Sequence, residues 1–373
     1  MCIFSSTIVA QRIAWLIGIG LAALASIGIA QAQIVIGQTA GISGVVASSV
    51  GEAIEGANLV LDAVNAQGGI HGEKVRIVRL DDGFDPARAV ENAQALIEKH
   101  NVLALFMTRG TPHTLGILPV VEQHGVPLIA PSTGAMTLHR PPHRWVFNVR
   151  TPYQRESEQV ARRLSTMGLE RVALVYVNDD FGKDALLGAL KGLNVKPMAT
   201  IAVDRTQPDY ASVVPQLITA QAIIWLGSGT TVVGGVKALR SAGSKAQVIT
   251  LSNNASNGFI KALGDDGDGV VVMQVFPNER SRATPLVLEA MQLAGDKPLS
   301  PVMLEGVAAA KVLAEALRRA GKNPTRERLR AALEGLNDFN LGGNKLYISY
   351  SRQNHTGLTY TDLSIIRQGR FER

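Results

Sequence analysis

Cysteine is almost missing from this chain: Cys2 is the single one in 373 residues. No disulfide can form within the segment that follows it, so that segment must be held by its core alone. Charge is missing from the first 32 residues, where Arg12 stands alone, and the apolar run Ile13–Ala30 closes on the small-residue triplet Ala30-Gln31-Ala32. Such a run is long enough to raise a membrane span. Gly18, Gly20 and Gly28 weaken it as a helix, however, and the small-x-small ending reads as a secretory signal peptide cleaved before Gln33. No cysteine stands at that junction to carry a lipid. Past residue 32 no apolar run reaches spanning length, so the expected product is exported and soluble. Aromatics make up only 5% of the chain and the basic residues are scattered, which leaves neither a stacking platform nor a basic stripe for nucleic acid. Loss of 32 residues and one arginine from 373 residues and 37 basic groups leaves 341 residues with 36 basic against 31 acidic. That balance is mild, and the length suits two domains.

What is present is alternation. Ile34–Gly37, Lys74–Leu80, Val102–Met107 and Pro127–Ala130 read as strands, with helices over Gly51–Asn65, Pro86–His100 and Pro112–His124. The pattern restarts with strands at Arg171–Val177, Ala199–Val203, Ala222–Leu226, Gln247–Leu251 and Gly269–Gln274. Parallel strands need crossovers, and helical ones cover the sheet on both faces. The spacing therefore predicts two doubly wound α/β sheets. Near the end, Val302–Ala320 and Thr325–Leu336 read as helices, and Lys345–Ser349 and Thr359–Ile366 as strands. Arg150-Thr151-Pro152, Phe276-Pro277-Asn278 and Asn354-His355-Thr356 mark three expected crossings. They would divide the chain into one lobe of residues 33–150 and 278–354 and another of 151–277 and 355–373. Three crossings make a hinge suited to bending.

Several segments carry a family resemblance. They are Asn65-Ala66-Gln67-Gly68-Gly69-Ile70-His71-Gly72 before a strand, Asp81-Asp82-Gly83-Phe84-Asp85-Pro86, Gly125-Val126-Pro127-Leu128-Ile129-Ala130-Pro131 and Asn178-Asp179-Asp180-Phe181-Gly182-Lys183-Asp184. In this order and spacing the chain resembles the type I periplasmic binding proteins of the leucine/isoleucine/valine class, which serve branched-chain amino-acid ABC importers. The resemblance implies a periplasmic two-lobe receptor, with a permease and an ATPase as membrane partners and with no cofactor. Local chemistry gives some of these residues a structural role as well. Gly68 and Gly69 suit a turn of positive φ, and Asp85 before Pro86 suits a helix cap.

In open α/β sheets ligands sit beyond the carboxyl ends of the strands, which directs attention to the loops there. Thr111 is expected to cap the helix after Gly110 and to offer its hydroxyl to a ligand oxygen. Backbone N–H groups at the Ser132-Thr133-Gly134 turn attract an anionic oxygen. The resemblance implies that Thr111, Ser132 and Thr133 hold a ligand carboxylate, and that Phe181 forms an aromatic wall in a polar loop. Gly134 stands where the family carries a Thr. Ser228 and Ser252 follow strands of the second sheet and would face the cleft. The family places a Tyr near Gly229 and, near Ser252, a Glu that pairs with the ligand's ammonium, and both are missing here. Burying an ammonium without a counter-charge costs several kcal/mol. Glu305, expected in the first turn of its helix, is the candidate substitute, although an acid there also suits the helix dipole. Arg109 is expected to point to solvent.

Enzymatic readings have little support. Gly227-Ser228-Gly229 begins a glycine-rich turn, but position 232 is Val, which leaves a dinucleotide fingerprint incomplete. His139 and His143 are separated by Pro141 and Pro142 and cannot share a helical face as metal ligands. No Gly-x-Ser-x-Gly elbow occurs. The expected function is solute binding in an interlobe cleft for an ABC importer, the solute being an amino acid or a related small organic or aromatic acid. A ligand-sensing module for a signalling partner is the alternative, and a Rossmann-type nucleotide enzyme ranks third.

Overall fold

The computed structural model describes residues 33–373, so the expected signal segment lies outside the described residues. The first sheet is parallel, in the order β2-β1-β3-β4-β5, from β1 (Gln33–Ala40), β2 (Lys74–Asp81), β3 (Ala104–Phe106), β4 (Leu128–Ile129) and β5 (Val146–Phe147). The second runs β14-β13-β10-β9-β8-β6-β7. Its parallel part is β6 (Val172–Val177), β7 (Ala199–Val203), β8 (Ala222–Leu226), β9 (Gln247–Thr250) and β10 (Val271–Gln274). An antiparallel edge follows from β13 (Asp362–Arg367) and β14 (Arg370–Glu372). A separate two-strand ribbon pairs β11 (Phe339–Asn340) with β12 (Tyr347–Ile348). The central strand β8, Ala-Ile-Ile-Trp-Leu, is buried at every position, as a strand covered on both faces requires.

Each sheet has its own apolar core. One face of the first packs against helices 47–66, 285–294, 301–320 and 326–334, and the other face against helices 86–98 and 111–124. Helix Pro301–Ala320 is buried along most of its length. It lies backbone to backbone on helix Ala47–Ala66, with glycines at the crossing: a Cβ on Gly56 would sit 2.0 Å from the Met303 carbonyl oxygen, and one on Gly306 2.0 Å from that of Ala53. The chain leaves the first core after Val149 and enters the second at Tyr153, returns between Met273 and Val275, and passes once more between Leu358 and Leu363.

Local chemistry explains the element ends. Asp85 accepts the Arg88 N–H at 2.9 Å with Pro86 at the first helical position, and Gly68 and Gly69 adopt positive φ. Helix 47–66 begins one turn earlier than its apolar pattern predicts, at Ala47. The two-residue strands β5 and β11 escape a reading by periodicity because they are shorter than one full alternation. Among the described residues no helix is long and apolar enough to cross a membrane, and no His/Cys/Asp/Glu cluster could hold a metal ion.

Candidate functional site

The carboxyl ends of β3 and β4 face those of β6, β8 and β9 across the junction of the two lobes. Two groups of side chains meet there. The first is a buried chain of charged and hydroxyl groups. Arg109, in the loop after β3, donates to Ser132 Oγ at 2.9 Å, to Ser49 Oγ at 3.4 Å and, across the junction, to the Asn253 carbonyl at 3.0 Å. Ser132 Oγ donates in turn to Glu305 Oε1 at 2.7 Å. The other oxygen of Glu305 lies 3.4 Å from Arg150, which also holds Glu156 at 3.0 Å and donates to Ser252 Oγ. Ser252 N–H donates to Glu156 Oε2 at 2.9 Å. Tyr153 stacks under the Arg150 guanidinium at 4.6 Å.

Burial sets the electrostatics of this chain. It pulls the Arg109 pKa down, against the opposing pull of Tyr153 and Glu305. It works the same way on Arg150, but Tyr153, Glu305 and Glu156 around that guanidinium outweigh it and hold its pKa above the ordinary value. Burial raises Glu156 despite Arg150, and it raises the Tyr153 hydroxyl.

The second group is aromatic and hydroxylic. Thr111 and Thr133 share a hydrogen bond of 2.7 Å between their hydroxyls. Phe84 stacks on His113 at 4.3 Å in the first lobe, and Phe181 meets Tyr153 edge to face at 4.8 Å in the second. Arg205 lies over both Phe84 and Phe181 and pairs with Asp179, which also caps its helix by accepting the Gly182 N–H. Ser228 Oγ accepts from Asn253 Nδ2 at 3.0 Å.

Several expectations need correction. Thr111 does not cap its helix: Gly110, at φ 96°, is the N-cap and Thr111 the first helical residue, which frees its hydroxyl for Thr133. The Ser132 N–H is not free, since it donates to the Thr108 carbonyl at 2.7 Å. Phe181 is no loop residue but sits in the first turn of helix Asp180–Gly192, buried in the second core. Glu305 lies beyond the first turn of helix Pro301–Ala320, and Ser132 and Arg150 are its partners. Arg109 is only 5% exposed rather than solvent-facing. Gly134 leaves no room for a Thr side chain, because a Cβ there would stand 2.7 Å from the Thr151 carbonyl oxygen and 2.8 Å from the Tyr153 nitrogen.

Reading the sequence missed Arg150, Glu156, Tyr153, Ser49, Asn253, Phe84, His113 and Arg205. Arg150 marked only a lobe crossing there. Its neighbours in the Tyr153-Gln154-Arg155-Glu156 segment looked like an ordinary charged helix start.

Further bonds join the two lobes outside this centre. Glu52, on helix Ala47–Ala66, accepts the backbone N–H groups of Asn257 at 3.0 Å and Gly258 at 2.8 Å. Asp184 of the second lobe accepts the Met136 N–H at 3.1 Å, and burial raises its pKa to about 6. Near that contact His139 is buried with neither ring nitrogen partnered. Burial, then the charges of Arg150 and Arg140, lower its pKa to about 3. A His whose folded pKa is lowered stabilises the fold fully above its unfolded value near 6.5 and loses that stabilisation as pH falls toward 3. We expect His139→Leu to remove about 1.4 kcal/mol per pH unit from the acid-side slope of unfolding free energy. Urea titrations of both proteins from pH 7 to 4 check this, and parallel slopes would refute it.

Two α/β lobes meeting over a buried polar junction are the architecture of a two-lobe solute receptor. The profile of the periplasmic binding protein family matches residues 33–367, and the chain belongs to that family. Among curated relatives, a Leu/Ile/Val-binding protein of Rhizobium johnstonii is 25% identical over 84% of this chain and 87% of its own. A substrate-binding periplasmic protein from Ralstonia solanacearum superposes with a TM-score of 0.82 at 30% identity, covering 89% of this chain and 97% of that one. A branched-chain amino-acid ABC transporter protein from Thermus thermophilus with bound valine shares the fold, with a TM-score of 0.81 at 18% identity over 92% and 95% of the two chains. The protein is of the type I class with Leu/Ile/Val-binding relatives, a binding protein and not an enzyme.

Proposed function

We propose that this protein is the periplasmic receptor of an ABC importer and that it closes its two lobes on an amino acid or a related small carboxylate. The lobes would comprise residues 33–150 with 278–354, and 151–277 with 355–373. The observation that carries the reading is the convergence of Thr111, Thr133 and Ser132 from one lobe with Phe181, Ser228 and Ser252 from the other at a junction bridged by Arg109 and Arg150. The Thr111 and Thr133 hydroxyls and the Thr133 and Gly134 N–H groups of the Ser132–Gly134 turn would take the ligand's carboxylate, with Ser132, whose own donors are spent on Thr108 and Glu305, holding the turn in place. Phe181, with Tyr153 behind it, would cover the apolar part, while Ser228 and Ser252 line the opposite wall and Glu305 orients Ser132. Bending at the crossings excludes water and strengthens these bonds, and the closed form is what a permease would recognise. Relatives named as Leu/Ile/Val-binding support the amino-acid end of this range.

Purification without denaturation, native mass spectrometry for a retained solute and calorimetry against amino acids and organic acids test the reading. Reconstitution with the permease and ATPase then tests import. Thr111→Ala is expected to weaken a carboxylate ligand by about 1–2 kcal/mol, the worth of one hydrogen bond to a charged group. Unchanged affinity would remove Thr111 from the site.

A further inference from the structure

We propose that the ligand is a small carboxylate without a protonated amine, with Arg109 as the residue that selects it. This rests on the receptor reading above and narrows its substrate class. Arg109 is buried, and each group it donates to is neutral: two serine hydroxyls and one carbonyl. A buried guanidinium without a carboxylate is costly, and an anion beside it relieves the cost. The carboxylates of the junction are engaged elsewhere. Glu156 is held by Arg150 and the Ser252 N–H, Glu305 by Ser132 and Arg150, and Asp179 by Arg205 and the Gly182 N–H.

An ammonium beside Arg109 would meet Glu156, Glu305 and Asp179, each already paired with a guanidinium, while Asp184, held by the Met136 N–H and Gln154, belongs to the other cross-lobe contact. Arg109, Arg150 and Arg205 stand there beside Glu156, Glu305 and Asp179. Selection therefore comes from where the charges sit, not from their sum. Nor can Ser252 take the part of an acid, since its hydroxyl accepts from Arg150 and its N–H is spent on Glu156. Phe84 with His113 from one lobe and Phe181 with Tyr153 from the other, with Arg205 over both phenylalanines, are the rings that the apolar remainder of such an acid would meet.

Calorimetry with two matched pairs tests this on the full mature chain after dialysis: 4-methylpentanoate against L-leucine, and phenylacetate against L-phenylalanine. In at least one pair the acid is expected to bind tenfold or more tightly than its amino acid. Arg109→Met should abolish that binding and Arg109→Lys should restore part of it, with circular dichroism melts confirming that both variants fold. The same acid should lose affinity on Thr111→Ala, which places it in the junction. An amino acid binding more tightly than its acid would overturn this proposal alone and leave the receptor reading standing. Acid affinity within twofold of the parent in Arg109→Met would also overturn it. If neither member of either pair binds and no solute is retained on purification, both readings fall.

Discussion

Replacing Gly258 with alanine is expected to hold the lobes apart while leaving each lobe folded. Gly258 belongs to helix Asn257–Leu263 of the second lobe, and the methyl group would point at the first: its Cβ would stand 1.6 Å from Ser48 Oγ and 2.7 Å from Ser48 Cβ. The serine hydroxyl can rotate away, but the Cβ cannot, so the helices must separate by most of an ångström. That separation stretches the bonds from Asn257 and Gly258 to Glu52 as well. Overpacking of this kind costs about 1–3 kcal/mol. Because ligand affinity scales with the population of the closed form, Kd should rise roughly tenfold or more although no ligand atom touches Gly258. Small-angle scattering should show a ligand-dependent contraction in the parent and a weaker one in the variant. Ser48→Gly added to Gly258→Ala should recover most of the loss, because the clash has only those two parties. Affinity within twofold of the parent would rule out the contact as part of closure. Glu52→Gln probes the same face and is expected to cost about 1–2 kcal/mol, because the amide oxygen can accept only one of the two N–H groups and the NH2 group cannot accept the other.

The fold was legible where the chain is locally consistent. β8 has no polar residue and cannot be anything but a covered strand. Asp85-Pro86 announces its helix by capping chemistry that needs no tertiary partner. The alternation of such strands with amphipathic helices is enough for two sheets. β13 is legible in the strand expected over Thr359–Ile366, but β5 and β11, two residues each, and the three-residue edge strand β14 are defined by what they pair with. Such pairings leave no local periodicity to read.

The site was legible only as far as position along the fold allows. A residue in a loop after a strand can be placed at the junction, as with Thr111, Ser132, Ser228 and Ser252. Whether its side chain is exposed depends on partners distant in sequence. Arg109 looks like a surface residue until Asn253, 144 positions away, supplies its acceptor from the other lobe. Glu305 looks like a helix-dipole acid until Ser132, 173 positions away, donates to it. Arg150 was visible as a crossing but not as a junction residue, because its function comes from Glu156, Glu305 and Ser252 together.

Removing the Arg150 charge is expected to destabilise the folded protein by about 3–5 kcal/mol in Arg150→Met, the cost of leaving a buried carboxylate unpaired. Glu156 is fully buried and has the Ser252 N–H as its other partner, so it cannot turn to water when the guanidinium goes. The damage should be confined to the charge left behind. Arg150→Met combined with Glu156→Leu should therefore be less destabilised than Arg150→Met alone, since an apolar pair of similar volume replaces a buried ion pair at little net cost. Acid should help the single variant. Without Arg150, burial raises the folded pKa of Glu156 further, and a carboxyl with a raised folded pKa contributes most below its unfolded value and loses that contribution as pH rises. The gap between parent and Arg150→Met in urea unfolding should accordingly narrow between pH 7 and pH 5. A single variant within 1 kcal/mol of the parent at pH 7 would mean that Glu156 does not depend on this guanidinium for its charge. The junction would then be a hydrogen-bonded contact between lobes and not an ion-paired one.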